Sequence, residues 1–268
     1  MWDDKKFQVW LASTYSTYQS SRDAKALSLA LDQLAAQWDF HYEPIWYYKN
    51  SVISGYGLYG DTKGTGSFQG QQAFEDLIFL HKAVKDMKAF LQTGGQTLVI
   101  IPFYYSTLSN KMILELYLAY LKSQPAHIFR YMNICLYNFE SLPTAQLFVL
   151  NTLRQYSRSL LLDVNYRKIN SDGIFKAHAY GCDVYGDTFT ENQLFKLLED
   201  FVSHYDAGGH KTFITGVKTK SLLSAAVAAG FTYISGTAVS PVVDKLSPVE
   251  FMKSADIYLP ENHVSRTR

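Results

Sequence analysis

The chain has 268 residues, 47% of them hydrophobic, with 25 Lys and Arg set against 24 Asp and Glu. That length suffices to bury one barrel-sized core, and the near-zero net charge gives no global attraction to nucleic acid polymers or to an anionic membrane. The apolar runs are strand-sized or broken by charge, and Met1-Trp-Asp-Asp-Lys-Lys lacks the apolar core of a signal peptide, so a cytoplasmic protein without membrane insertion is expected.

Residues 1–30 read as an N-terminal extension, 31–256 as one domain and 257–268 as a polar tail. Leu27, Leu31, Leu34 and Trp38 recur at three- and four-residue spacing, which predicts an amphipathic helix over 22–38. A β-hairpin follows, and then three glycines among small polar residues in 61–70 mark a loop. That loop lacks the Gly-Lys-Ser/Thr ending of a phosphate loop. Helices over 71–93, 109–123, 144–156 and 191–205 alternate with strands over 97–103, 128–136, 159–164 and 212–217. Such alternation implies a parallel sheet with crossover helices, and this many units favour a closed barrel. Ser109 and Thr190 are candidate helix N-caps.

Cys135 and Cys182 sit in apolar sequence without metal or redox spacing, so both read as buried, inert thiols, and no cofactor motif accompanies them. None of the seven histidines is paired at metal-ligand spacing with a nearby acid. The aromatic share is 15%, with 20 Tyr and 17 Phe, mostly core or half-buried strand residues, although Tyr also stacks on bases.

Two segments carry a family resemblance: Phe40-His-Tyr-Glu-Pro-Ile-Trp-Tyr-Tyr-Lys-Asn-Ser-Val-Ile-Ser-Gly-Tyr-Gly-Leu58, and Thr215-Gly-Val-Lys-Thr219 with Gly230-Phe-Thr-Tyr-Ile-Ser-Gly-Thr-Ala-Val-Ser-Pro241. They resemble the opening hairpin and closing strand-helix-strand of the bacterial EAL domain, whose active members hydrolyse cyclic di-GMP. The resemblance implies a modified TIM-like (β/α) barrel whose first strand is antiparallel. It also implies a site at the strand carboxyl ends, where acids and amides hold two divalent cations that activate water.

This chain departs from that pattern where the chemistry lies. The signature Glu-Ala-Leu reads Gly57-Leu58-Tyr59, and the Arg that usually follows is Asp61. The family's Asn aligns with Pro102, its Glu-Ile-Thr-Glu places Asn133 and Leu136 at the acids, and its Asp-Asp pair reads Asp163-Val164. Its Lys falls on Gly186, its Glu-Gly-Val-Glu places Thr215 and Lys218 at the acids, and its late Gln falls on Ser235. Metal-assisted hydrolysis needs several carboxylates, so a degenerate, non-catalytic member without bound metal is expected.

The loop Asn165-Tyr166-Arg167-Lys168 replaces the family's Phe-Gly-Thr-Gly and adds two cations. Arg offers a planar fork to phosphate oxygens and Tyr a stacking face, so Tyr166, Arg167 and Lys168 form a coherent binding loop for cyclic di-GMP. Tyr59, Tyr104, Tyr105, Asp163 and Lys218 complete the expected ligand set. Against this, an Arg-Lys pair in a loop is usually solvated, Glu43 stands where the family has Gln, and Asp61 replaces a phosphate-contacting Arg. The resemblance implies a receptor acting through a protein effector in exopolysaccharide, biofilm or motility control, and admits a homodimer. The alternatives are a nucleotide-independent protein-binding regulator and a weak phosphodiesterase rebuilt around Asp163, Asp183 and Asp187.

Overall fold

The computed structural model describes residues 4–62, 72–138, 144–167, 176–184 and 191–252. Of the expectations above, those on Lys168, Gly186, Asp187, the N-cap Thr190, residues 63–70 of the glycine loop and the tail 257–268 lie outside these.

Eight strands close into a barrel: β1 (Trp38–Tyr47), β2 (Val52–Thr62), β3 (Val99–Tyr104), β4 (Met132–Tyr137), β5 (Ser159–Asp163), β6 (Ala179–Asp183), β7 (Lys211–Thr215) and β8 (Tyr233–Ser235). Strands β2 to β8 pair in parallel in chain order, and β1 closes the ring antiparallel to both β2 and β8. This is the modified (β/α) barrel with an antiparallel first strand that the opening hairpin led us to expect. A two-residue strand, β9 (Glu250–Phe251), pairs with the start of β2.

Side chains alternate across each strand. Val99, Ile101 and Phe103 of β3, and Met132, Ile134 and Leu136 of β4, are fully buried on the outward face, under the helices. Their neighbours Ile100, Pro102 and Tyr104, and Asn133, Cys135 and Tyr137, face the barrel interior. Burial on both faces produces the nearly continuous apolar runs seen in the sequence.

The helices are α1 (Asp4–Ser21), α2 (Ala24–Ala35), α3 (Gln72–Gln92), α4 (Tyr105–Ser109), α5 (Lys111–Lys122), α6 (Thr144–Leu153), α7 (Glu191–Ala207) and α8 (Lys220–Ala229). α1 contributes Phe7 and Leu11 to the core, and Tyr15 and Gln19 donate to Glu115 of α5 at 2.6 and 2.8 Å. His81 of α3 joins α2 and α5, with Nε2 3.0 Å from Asp32 and Nδ1 2.8 Å from the Tyr120 hydroxyl. Burial holds His81 below its ordinary pKa, towards the neutral form.

Several boundaries differ from the sequence expectation: the helix expected over 22–38 spans only Ala24–Ala35, that expected over 144–156 ends at Leu153, the strand expected over 212–217 ends at Thr215, and two more differ for a visible reason. The helix expected from Ser109 begins at Lys111, because Asn110 rather than Ser109 is its N-cap and accepts from the Ile113 N–H. The strand expected from residue 128 begins at Met132, after a 3₁₀ turn (Ala126–Tyr131). Ile128 and Phe129 are buried in that turn, which makes the apolar run longer than the strand. Among the described residues, no helix is long and apolar enough to cross a membrane.

Candidate functional site

The interior of a (β/α) barrel is normally filled by layers of large side chains. Here Gly55, Gly57, Cys135, Ala179 and Ser235 occupy inward positions, and a cavity of about 660 Å³ runs between the two ends. We term the end where β2 to β8 finish the upper end and the end where they begin the lower one.

At the upper end the cavity is walled by Tyr59, Tyr104 and Tyr137, with Asp61, Glu75 and Asp183 around it. The Tyr104 and Tyr137 rings stack at 5.2 Å, and Tyr59 stacks on its cross-strand neighbour His41 at 5.8 Å. Tyr104 is held by a buried anchor. One oxygen of Asp76, in the second turn of α3, accepts from the Tyr104 N–H at 2.7 Å and from the Thr107 hydroxyl of α4. Burial pushes the Asp76 carboxyl well above the usual range.

Gly57 explains the position of Tyr59. A Cβ on residue 57 would lie 2.9 Å from Cε2 of Tyr59, so the ring occupies the volume that any side chain at 57 needs. Where the resemblance implies a metal-binding Glu, a tyrosine ring stands instead.

Two further carboxyls near the site, Asp163 and Glu43, are shifted upward. Burial, with a further contribution from Asp183, pushes Asp163 up to about 8, and its Oδ2 is enclosed without a hydrogen-bond partner. Burial also raises Glu43, against the opposing bond from Ser235. Ser235 Oγ lies 2.6 Å from Glu43 Oε1 and 3.1 Å from the Pro44 carbonyl. A hydroxyl has one proton, so a protonated Glu43 donating to Ser235 lets Ser235 donate to Pro44 and satisfies all three groups.

Of the residues expected at the site, Tyr59 and Tyr104 line the cavity. Asp163 ends β5 and Tyr105 opens α4, both outside the lining. Tyr166 is 4% exposed among core residues, its hydroxyl buried and unpartnered. Arg167 is exposed, its guanidinium carbon 5.7 Å from the Tyr166 ring centre, and Lys218 is exposed beyond the end of β7. Lys168 lies outside the described residues. The structure adds His41, Glu75 and Tyr137 to the upper end and places there Asp183, which the sequence offered only for the phosphodiesterase alternative. For Tyr137 and Asp183 the signal was available in the two-residue period of β4 and β6, which puts each on the inward face at the strand's last residue.

No protein-family model matches the chain, and no curated protein matches it. Solved structures do. The EAL domain of Xanthomonas citri FimX in complex with c-di-GMP aligns with a TM-score of 0.57 at 14% identity, over 88% of this chain and 99% of that one. The PaMucR phosphodiesterase in complex with c-di-GMP aligns at 0.63 and 13%, over 81% and 96%. Bacillus subtilis YkuI, with an EAL domain in complex with substrate c-di-GMP and calcium, aligns at 0.58 and 15%, over 83% of this chain and 59% of that one. The fold is therefore the EAL-type barrel. The donors present do not suit the cation pair of that fold: no three His, Cys, Asp or Glu side chains among the described residues are grouped to hold a metal ion. Gly57, Pro102 and Thr215 offer no carboxylate, and Asp163 near neutral pH holds a proton that a cation would have to displace.

Proposed function

We propose that this protein is a non-catalytic EAL-type receptor that binds cyclic di-GMP without a metal and signals through a protein partner. The observation that carries the reading is the Tyr59 ring in the place of the metal-binding acid, with Asp163 pushed up to about 8 by burial. A tyrosine-walled cavity offers stacking faces to a guanine, and protonation of Asp163 removes negative charge that cations would otherwise have to screen. Arg167 and Lys218, exposed beyond the ends of β5 and β7, supply fixed positive charge for the phosphates.

One observation favours a second reading. Asp61, Glu75 and Asp183 still ring the upper end, an unfavourable field for a dianionic nucleotide. A nucleotide-independent protein-binding regulator has no such difficulty. Calorimetric titration of cyclic di-GMP in EDTA, with cyclic di-AMP and GTP as controls, separates the two. Selective binding that Arg167→Ala weakens by roughly 1.5 to 3 kcal/mol supports the receptor. Absence of heat at several temperatures, together with an unchanged melting temperature, overturns it in favour of the regulator.

A further inference from the structure

The lower end of the barrel has a chemistry of its own. At the lower ends of five strands that adjoin in the ring, the cavity is lined by Arg158 just before β5, His178 just before β6, Lys211 and Tyr233 at the starts of β7 and β8, and Tyr47 at the end of β1. Arg158, His178 and Lys211 are solvent-exposed. Lys211 Nζ donates to the Tyr233 hydroxyl at 3.3 Å, and the Tyr233 ring lies 5.1 Å from that of Tyr47. Among the described residues, every carboxylate in the cavity lining, Asp61, Glu75 and Asp183, belongs to the upper end. The lower mouth is thus cationic and aromatic, with no acid among its described lining residues.

Behind this mouth the bore is apolar, walled by Ile45, Leu98, Ile100, Leu161 and Phe213. Ser54, Ser159 and Asn133 interrupt it near the mouth, and of these only Asn133 carries a buried atom without a partner. Asn133, 8% exposed and lining the cavity, has its Oδ1 buried without a hydrogen-bond partner. Asn133 is the second residue of β4 and pairs with Ser159 at the start of β5, next to Arg158, so the orphan acceptor sits close to the mouth. A buried acceptor with no partner loses about 1–3 kcal/mol relative to a satisfied one, and native proteins retain few of them. The cavity falls within the 300–1,000 Å³ usual for ligand pockets.

We infer that the lower end of the barrel is a second binding site, for an anionic amphiphile: a carboxylate held by Lys211 and Arg158, an apolar chain in the bore, and a hydroxyl near the head donating to Asn133 Oδ1. A cationic mouth selects the charge of the head, the apolar bore selects the chain, and the orphan acceptor selects a donor on that chain. The site is separate from the upper end, where the nucleotide is proposed to bind, and does not depend on that proposal.

The test is calorimetric titration of the full chain, below micellar concentration, with 3-hydroxydodecanoate, dodecanoate and dodecyltrimethylammonium. The hydroxylated acid is expected to bind about fivefold tighter than the plain one, the effect of one added hydrogen bond. The cationic amphiphile is expected not to bind. Lys211→Glu, an exposed substitution that leaves the fold intact by circular dichroism, is expected to weaken the acids at least tenfold, and Asn133→Leu to abolish the preference for the hydroxyl. Equal affinity for acid and cation, or wild-type affinity in Lys211→Glu, overturns the proposal, as does failure of either acid to bind. If Asn133→Leu does not fold, the charge selectivity and the Lys211→Glu result decide alone.

Discussion

Replacing Asp163 with Asn is expected to stabilise the protein, and the gain depends on pH in a way that few other mechanisms reproduce. The carboxyl has an ordinary value of 3.8 and is pushed up to about 8 in the fold. At pH 7 the unfolded chain carries an ionised Asp163 and the folded chain a protonated one. The folded value lies above the unfolded one, so the wild type is least penalised below about pH 4 and loses stability as pH rises towards 8. Each pH unit in that window amounts to about 1.4 kcal/mol, giving about 1.5 kcal/mol at pH 5 and about 4 kcal/mol at pH 7, with solvent at the outer oxygen trimming the latter towards 2. Asn keeps the shape and carries no charge, so the variant escapes this loss. Urea unfolding at pH 5, 6, 7 and 8 reads the difference directly. A difference that is flat across this range, or a variant less stable than wild type at pH 8, refutes the burial argument.

Other expectations rest on single contacts. Gly57→Glu restores the acid of the family signature but drives it into the Tyr59 ring; we expect a loss of roughly 1–3 kcal/mol in denaturant unfolding and no hydrolysis of cyclic di-GMP with manganese. Measurable turnover in that variant would contradict our account of the site. Asp76→Ala strands the Tyr104 N–H and the Thr107 hydroxyl, at about 2–4 kcal/mol, whereas Asp76→Asn keeps the acceptor oxygen and costs under about 1 kcal/mol. Equal effects of the two substitutions would show that the anchor does not act through that oxygen.

The barrel was legible in the sequence because its signals are local. Each strand is a short apolar run, each crossover a periodic helix, and the hairpin at residues 40–58 carries its turn with Ser51 in the left-handed region at φ 53°. The upper end was partly legible for the same reason: residues following an apolar run sit at a strand end, which brought Tyr59 and Tyr104 into view. Tyr166 shows the limit. A Tyr-Arg-Lys loop reads as a ligand loop, yet whether its aromatic ring faces the cavity or joins the core is decided by packing across the sheet, which no local pattern encodes. The lower mouth was illegible because Arg158, Lys211 and Tyr233 lie far apart in sequence and are joined only by barrel closure.

That closure is unevenly built. β1 meets β2 along ten register pairs with a four-residue turn, 48–51, between them, but meets β8 along three, Ile45 to Tyr47 against Tyr233 to Ser235. At that seam Pro44 and Ser235 are 191 positions apart and share a hydrogen bond. Contacts spanning so much chain repay their loop-closure entropy only after the intervening units have formed. The hairpin is therefore expected to form early and the seam late. Tyr47 and Tyr233, the aromatic half of the lower mouth, pair across this joint, so the mouth is complete only once the barrel has closed.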